Sequence, residues 1–208
     1  MAIIDKLASS LGRRDEVPNQ ELAKEVAERN DKKAVAELIA LLDNKNKGIQ
    51  NDSIKVLYEI GEQNPMLIAG YHDTFIKLLG SKNNRMQWGA MTALRAIAAE
   101  KPDELFKALP LLLDVAEKGT VITKDSLMAI MVKLGTVKKY NDDVFALYNE
   151  QLQQSLPNQF PMYAENAFPI INEKNKAAFI KTLTDKLPET NTDAKRKRVE
   201  KVIKKLTK

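Results

Sequence analysis

Three segments of this chain repeat at a constant offset of 37 residues. They are Ile49–Gly61, Met86–Ala98 and Thr123–Gly135. Apolar residues fall in register at Ile54/Met91/Met128, Leu57/Leu94/Met131 and Ile60/Ile97/Leu134. Small residues match at Gly61/Ala98/Gly135, and Pro65 matches Pro102. Upstream, Leu38-Ile39-Ala40-Leu41-Leu42 aligns with Phe75-Ile76-Lys77-Leu78-Leu79 and with Leu112-Leu113-Asp114-Val115-Ala116. The linking turns agree as well, Asp43-Asn44-Lys45-Asn46-Lys47 against Gly80-Ser81-Lys82-Asn83-Asn84. Apolar spacing of i, i+3, i+4, i+7 is helical, so each unit reads as helix, polar turn, helix. One such pair cannot bury its own stripe, and stacked neighbours must supply the core. The sequence predicts an all-α solenoid of about five antiparallel helix pairs.

The expected layout is a single array over residues 1–208. Residues 1–30 form an N-terminal cap and 31–140 three regular repeats. Residues 141–172 form an irregular proline-containing repeat and 173–208 a basic C-terminal cap pair. In the N-terminal cap, Ile3, Ile4, Leu7 and Leu11 form a short stripe. Gly12–Pro18 reads as a turn, and Asn19 is expected to cap a helix carrying Leu22, Ala23 and Val26. Phe145, Tyr148, Leu152 and Leu156 suggest a further first helix. Its partner contains Pro157, Pro161 and Pro169, which predicts a short or irregular helix. Ala177, Ile180 and Leu183, then Val199, Val202, Ile203 and Leu206, mark the last pair, with a turn at Pro188 and Asn191-Thr192.

The first two repeats resemble HEAT repeats, an armadillo-type family. There the second helix opens on a pattern close to Val-Arg-x-x-Ala-x-x-Ala-Leu. Met86, Gln87, Ala90, Ala93 and Leu94 fit it, and Ile49, Gln50, Ser53, Val56 and Leu57 fit it more loosely. Pro110 stands where many HEAT first helices carry proline. The family's frequent Arg is Gln50, Gln87 and Lys124 here, so an Asp–Arg ladder along the stack is not expected. The resemblance spans roughly residues 31–135, and its motif is structural. It implies a right-handed superhelical solenoid, a helical-repeat scaffold whose second helices line a concave face.

Composition closes off several kinds of chemistry. There is no Cys, which excludes disulfides, thiolate metal sites and cysteine nucleophiles. One histidine, His72, excludes HExxH and facial-triad sites. His72 is read as a surface residue that does not face its neighbour Asp73. Neither GxGxxG nor GxxxxGK[ST] occurs. No catalytic, cofactor-binding or metal-binding residue is expected, and no cofactor. The most apolar run, Leu109–Leu113, is far short of the roughly 20 residues a membrane span needs. With no secretory signal visible at the start, a cytoplasmic protein is expected.

Two surfaces are candidates for partner contact. On the second helices, Asn51, Asp52, Lys55, Glu59 and Glu62 lie opposite the apolar stripe of the first repeat. The next repeat carries Trp88, Gly89, Thr92, Ala96 and Ala99 there, and the third carries Asp125, Ser126, Ala129, Lys133 and Thr136. One reading is a shallow groove with Trp88 as aromatic anchor, joined by Arg85, Arg95 and Thr92; Trp and Arg are enriched at binding hot spots. The other is that the small residues let second helices approach and Trp88 packs as core. The second surface is the terminal cluster Lys195, Arg196, Lys197 and Arg198 with Lys201 and Lys205. Residues 173–208 hold twelve Lys/Arg and five Asp/Glu, so they carry +7, and the rest of the chain carries −2. Such a helix can contact nucleic-acid phosphates or another anion, or serve as a solvated cap face. No aromatic interleaves it, so single-strand stacking is not expected there.

The expected function is a non-enzymatic scaffold that binds a protein or peptide on its concave face. The alternative is a nucleic-acid-associated module acting through the basic C-terminal helix. A HEAT-like DNA glycosylase is a third expectation carried by the family resemblance alone; no motif here transfers that activity.

Overall fold

The computed structural model describes residues Ala2–Thr207. Among them every regular element is helical. They divide into two compact units, one through Leu127 and the other from Met128.

In the first unit a short 3-10 turn, Ile3–Lys6, precedes α1 (Val17–Glu28) and α2 (Lys32–Leu41). α3 (Lys47–Gln63) follows. The next first helix is broken into α4 (Met66–Ala69) and α5 (His72–Leu78), with Gly70 at the break. α6 (Asn84–Ile97) and α7 (Pro102–Lys118) come next. α8 (Val121–Gly135) leads into the second unit. The α1–α2 corner is very tight. Asn30 takes the left-handed region at φ 51°, which Asn tolerates better than most residues. The Asp31 amide then donates to Val26 O (3.0 Å) and the Asn30 amide to Ala27 O (3.2 Å), a Schellman closure. The Asp31 carboxylate at once caps α2 by accepting from the Lys33 and Ala34 amides, both at 3.0 Å.

The caps repeat along with the core. Asn46 accepts from the Gly48 amide (2.8 Å) to start α3, and Asn83, in the same register, accepts from Arg85 (3.0 Å) to start α6. Ile54, Met91 and Met128, then Leu57, Leu94 and Met131, then Ile60, Ile97 and Leu134 are all buried. So are Leu38, Phe75 and Leu112 on the first helices. Each such side chain contributes roughly 1.5–3 kcal/mol of transfer free energy. α3 packs between α1 and α6. Two glycines set how closely the neighbours come. A Cβ on Gly89 would stand 2.7 Å from Ile54 Cγ1, and one on Gly61 would stand 3.0 Å from Ala96 Cβ. The small residues of the middle repeat therefore serve helix approach.

In the second unit, α9 (Asn141–Gln154) is followed by α10 (Phe160–Asn166) and a 3-10 turn, Phe168–Ile170. The short helix is the one the prolines predict. α11 (Lys176–Lys186), a 3-10 turn (Leu187–Glu189) and α12 (Asp193–Leu206) complete the chain. Tyr148 is fully buried and its hydroxyl donates to Tyr163 O at 2.6 Å. Burial pushes its phenol well above the usual tyrosine range.

Several sequence expectations need correction. Asn19 does not cap α1; Glu16 holds the cap position, and Asn19 lies inside the helix, buried. Its Oδ1 accepts from the Ala8 amide (3.0 Å) and its Nδ2 donates to Asp52 Oδ1 (2.9 Å). Leu11 and Leu156 are exposed and end their stripes early. Ala177 is exposed too, and Phe179 takes the core place on α11. His72 is not a plain surface residue. It starts α5, its side chain is 16% exposed, and its Nε2 lies 3.4 Å from Asp73 Oδ1. Its Nδ1 lies 3.2 Å from Ala69 O at the end of α4.

Candidate functional site

The partner-contact candidates of the first unit sit on α3, α6 and the residue that opens α1. Arg85, Trp88, Thr92 and Arg95 recur on α6 at helical spacing, so they share one face. Lys55, Tyr58, Glu59 and Glu62 do the same on α3. Because α3 and α6 lie side by side, these two stripes meet.

At the junction, the Trp88 and Tyr58 rings are 5.8 Å apart between centroids and tilted by 50°. That lies within the range of favourable aromatic pairs. The Arg85 guanidinium stands 5.5 Å from the Trp88 ring centroid, a cation–π distance, and pairs with the Glu16 carboxylate. Lys55 Nζ lies 2.5 Å from Glu59 Oε1, 4.0 Å from Glu16 Oε2 and 5.0 Å from the Tyr58 ring centroid. Arg95 pairs with Glu62 at 2.5 Å. Trp88 is half-buried, one side occupied by Tyr58 and Arg85. The ring is thus packed on one side and reachable on the other.

Burial penalises the Lys55 ammonium, but hydrogen bonds to Glu59 and Tyr58 and the Glu59 charge outweigh it. Lys55 is held above the ordinary lysine range. Burial raises the Tyr58 phenol, although Lys55 pulls it back. Both groups keep their protons at neutral pH, so this cluster is arranged to hold charge and shape.

Two residues stand apart from expectation. Thr92 is buried, and its hydroxyl donates to Trp88 O at 2.9 Å, so it presents nothing to a partner. Lys55, placed on the solvent side of a helical wheel, is also buried. α3 is packed by α1, α2, α4 and α6, and α6 by α3, α4 and α5, so each buries more than one face. Glu16 escaped the sequence reading, since it is 69 positions from Arg85 and carries no periodic signal.

The basic cluster lies on α12, which packs on α10 and α11 through Val199 and Val202. Arg198 grips Glu165 with two hydrogen bonds, Nε to Oε1 at 2.9 Å and Nη2 to Oε2 at 2.5 Å. Lys195 donates to Asn158 Oδ1 at 2.5 Å and Asn191 Oδ1 at 3.0 Å. Lys205 stands 5.3 Å from the Phe168 ring centroid. Arg196, Lys197 and Lys201 are exposed. Among the described residues no cluster of three His, Asp or Glu side chains could hold a metal ion. No helix among them is long and apolar enough to cross a membrane.

No protein-family model matches the chain. No curated protein matches its sequence. Solved structures do match over its whole length. One engineered protein from the Northeast Structural Genomics Consortium is 18% identical with a TM-score of 0.63, covering 100% of this chain and 97% of its own. A second engineered protein from the same consortium is 20% identical with a TM-score of 0.62, covering 99% and 100%. A designed armadillo repeat protein is 16% identical with a TM-score of 0.56, covering 98% of each chain. At these identities the likeness is one of fold, and the fold is an armadillo-like helical-repeat solenoid.

Proposed function

We propose that the chain is a non-enzymatic cytoplasmic scaffold that captures a protein or peptide on the second-helix face of its first unit. Trp88 is the aromatic anchor, and Arg85 and Arg95 are the flanking cations. The HEAT-like pattern at Met86–Leu94 supports the repeat array as a fold and carries no activity of its own. The observation that carries the reading is the arrangement around Trp88. Its ring is half-open on a face where Glu16 and Glu62 already hold the two arginines in place. Ordering a long side chain on binding costs about 0.5–1.5 kcal/mol, and cations fixed beforehand avoid much of that. Binding is then rigid presentation of a preformed surface, with no bond made or broken.

The test is capture of partners from native cell extract, quantified by mass spectrometry for wild type, Arg95→Ala and Trp88→Ala. Capture of the same proteins should fall about tenfold or more with Trp88→Ala, a loss of about 1.4 kcal/mol or more. Arg95→Ala should weaken capture while leaving the melting curve nearly unchanged, because exposed ion pairs contribute at most about 1 kcal/mol. If Trp88→Ala costs the roughly 3–5 kcal/mol of a core aromatic and Arg95→Ala leaves capture intact, the ring is packing and the reading fails.

A further inference from the structure

The cations of α12 fall into two sets according to what they touch. Lys195, Arg198 and Lys205 are engaged by Asn158, Glu165 and Phe168, and they fasten the helix to the rest of its unit. Arg196, Lys197, Lys201 and Lys204 are exposed, and of these Lys201 also acts through its charge on the Glu165 carboxyl. Lys197, Lys201 and Lys204 follow one another at i, i+4 and i+7, so they form one stripe. That stripe is opposite Val199 and Val202, the residues that bury the helix. At about 1.5 Å rise per residue it is roughly 10 Å long. From Asp193 to Leu206, seven Lys/Arg stand against two acidic residues, Asp193 and Glu200, so the helix carries +5.

The chemistry of the stripe selects its occupant. It has no exposed aromatic or large apolar side chain. A protein partner is gripped through such anchors, a single strand through stacking on them. An interfacial helix buries an apolar face in lipid, and the apolar face of α12 is already used by α10 and α11. A duplex backbone asks only for spaced positive charge. A stripe of roughly 10 Å is long enough to lie along neighbouring phosphates of one strand. We propose that the Lys197–Lys201–Lys204 stripe of α12, together with Arg196, docks on the phosphate backbone of double-stranded DNA without reading its sequence. This surface is separate from the Trp88 face and stands or falls independently of it.

The experiment is fluorescence anisotropy of the full chain with a random-sequence DNA duplex at several salt concentrations. Four cations engaging phosphate give a slope of log K against log salt near −3.6, so affinity falls about 150-fold between about 50 and 200 mM salt. The triple variant Lys197→Gln, Lys201→Gln, Lys204→Gln should reduce that fall to about 3.5-fold. Its thermal unfolding should match wild type, since all three side chains are exposed. No duplex binding at about 50 mM salt, where backbone contacts are strong, would overturn the proposal. So would a salt slope that the triple variant leaves unchanged, or preferential capture of an RNA duplex, of phosphatidylserine vesicles or of a poly-glutamate peptide.

Discussion

Gly89→Ala isolates the feature that lets α3 and α6 lie side by side. The new methyl would stand 2.7 Å from Ile54 Cγ1, 3.2 Å from Cγ2 and 3.6 Å from Cβ. Ordinary carbon–carbon contact is about 3.5–4.0 Å, so the neighbour must retreat by roughly 1 Å. Ile54 cannot swing away. Both clashing atoms are attached to its Cβ, and a β-branched residue in a helix has essentially one χ1 rotamer. The backbones must separate instead, and overpacking of this kind costs about 1–3 kcal/mol. Against that, Ala gains about 0.8–1 kcal/mol over Gly in a helix interior. The net is a loss of about 0–2 kcal/mol, centred near 1. Gly70→Ala is the control, because nothing lies within 4 Å of its Cβ position and its φ of −65° suits any L-residue. It should stabilise by about 0.4–1 kcal/mol. Trp88 is the only tryptophan and lies in the first unit, so urea unfolding read by its fluorescence reports that unit. Ile54→Ala alone should cost about 2–5 kcal/mol. When the two changes are combined, the methyl added at Gly89 fills part of the void, so they should couple favourably by about 1 kcal/mol or more. If Gly89→Ala stabilises as much as Gly70→Ala, or the pair is additive, steric contact with Ile54 does not set the spacing.

Asn19→Ala should destabilise by about 2–3 kcal/mol, because it leaves the buried Ala8 amide without an acceptor and removes the link to Asp52. Hydrogen exchange should show protection lost first at the Ala8 and Ser9 amides. In the second unit, the Arg198 hydrogen bonds, with Lys201 and Lys205 nearby, hold the Glu165 carboxyl below its ordinary 4.5. A depressed carboxylate contributes stability that is present above the unfolded value and lost as pH falls through the folded one. Glu165→Gln should therefore lower stability near pH 7 by less than about 1 kcal/mol, the pair being partly exposed. The gap should close on acidification, and thermal unfolding of both proteins at neutral and acid pH checks it.

The repeat period made the core legible, because it repeats the same apolar positions at an offset of 37 residues. Ile54, Met91 and Met128 are buried for the same reason three times over, and Asn46 and Asn83 cap their helices alike. Periodicity reports which way a residue faces on its own helix. It does not report what another helix brings to that face. Lys55 and Thr92 look solvent-directed on a wheel and are buried. Asn19 has the residue type and place of a cap, yet a loop amide and Asp52 claim its side chain. Glu16 meets Arg85 across 69 positions, a distance over which no local pattern carries information.

The same logic explains why the Trp88 face was half legible. Its residue types, one tryptophan and two arginines on a helical stripe, could be read from α6 alone. What makes them a surface comes from α1 and α3: Glu16 and Glu62 hold the arginines, and Tyr58 supports the ring. These contacts have a double consequence. They stabilise the seam between adjacent repeats, and they fix side chains that would otherwise lose rotamer freedom in the proposed binding. Glu62→Gln separates the two. Arg95 and Glu62 are both substantially exposed, at 33% and 44% of their side chains, so stability should change little. Partner capture should weaken if the prior placement of Arg95 matters, and unchanged capture would show that it does not.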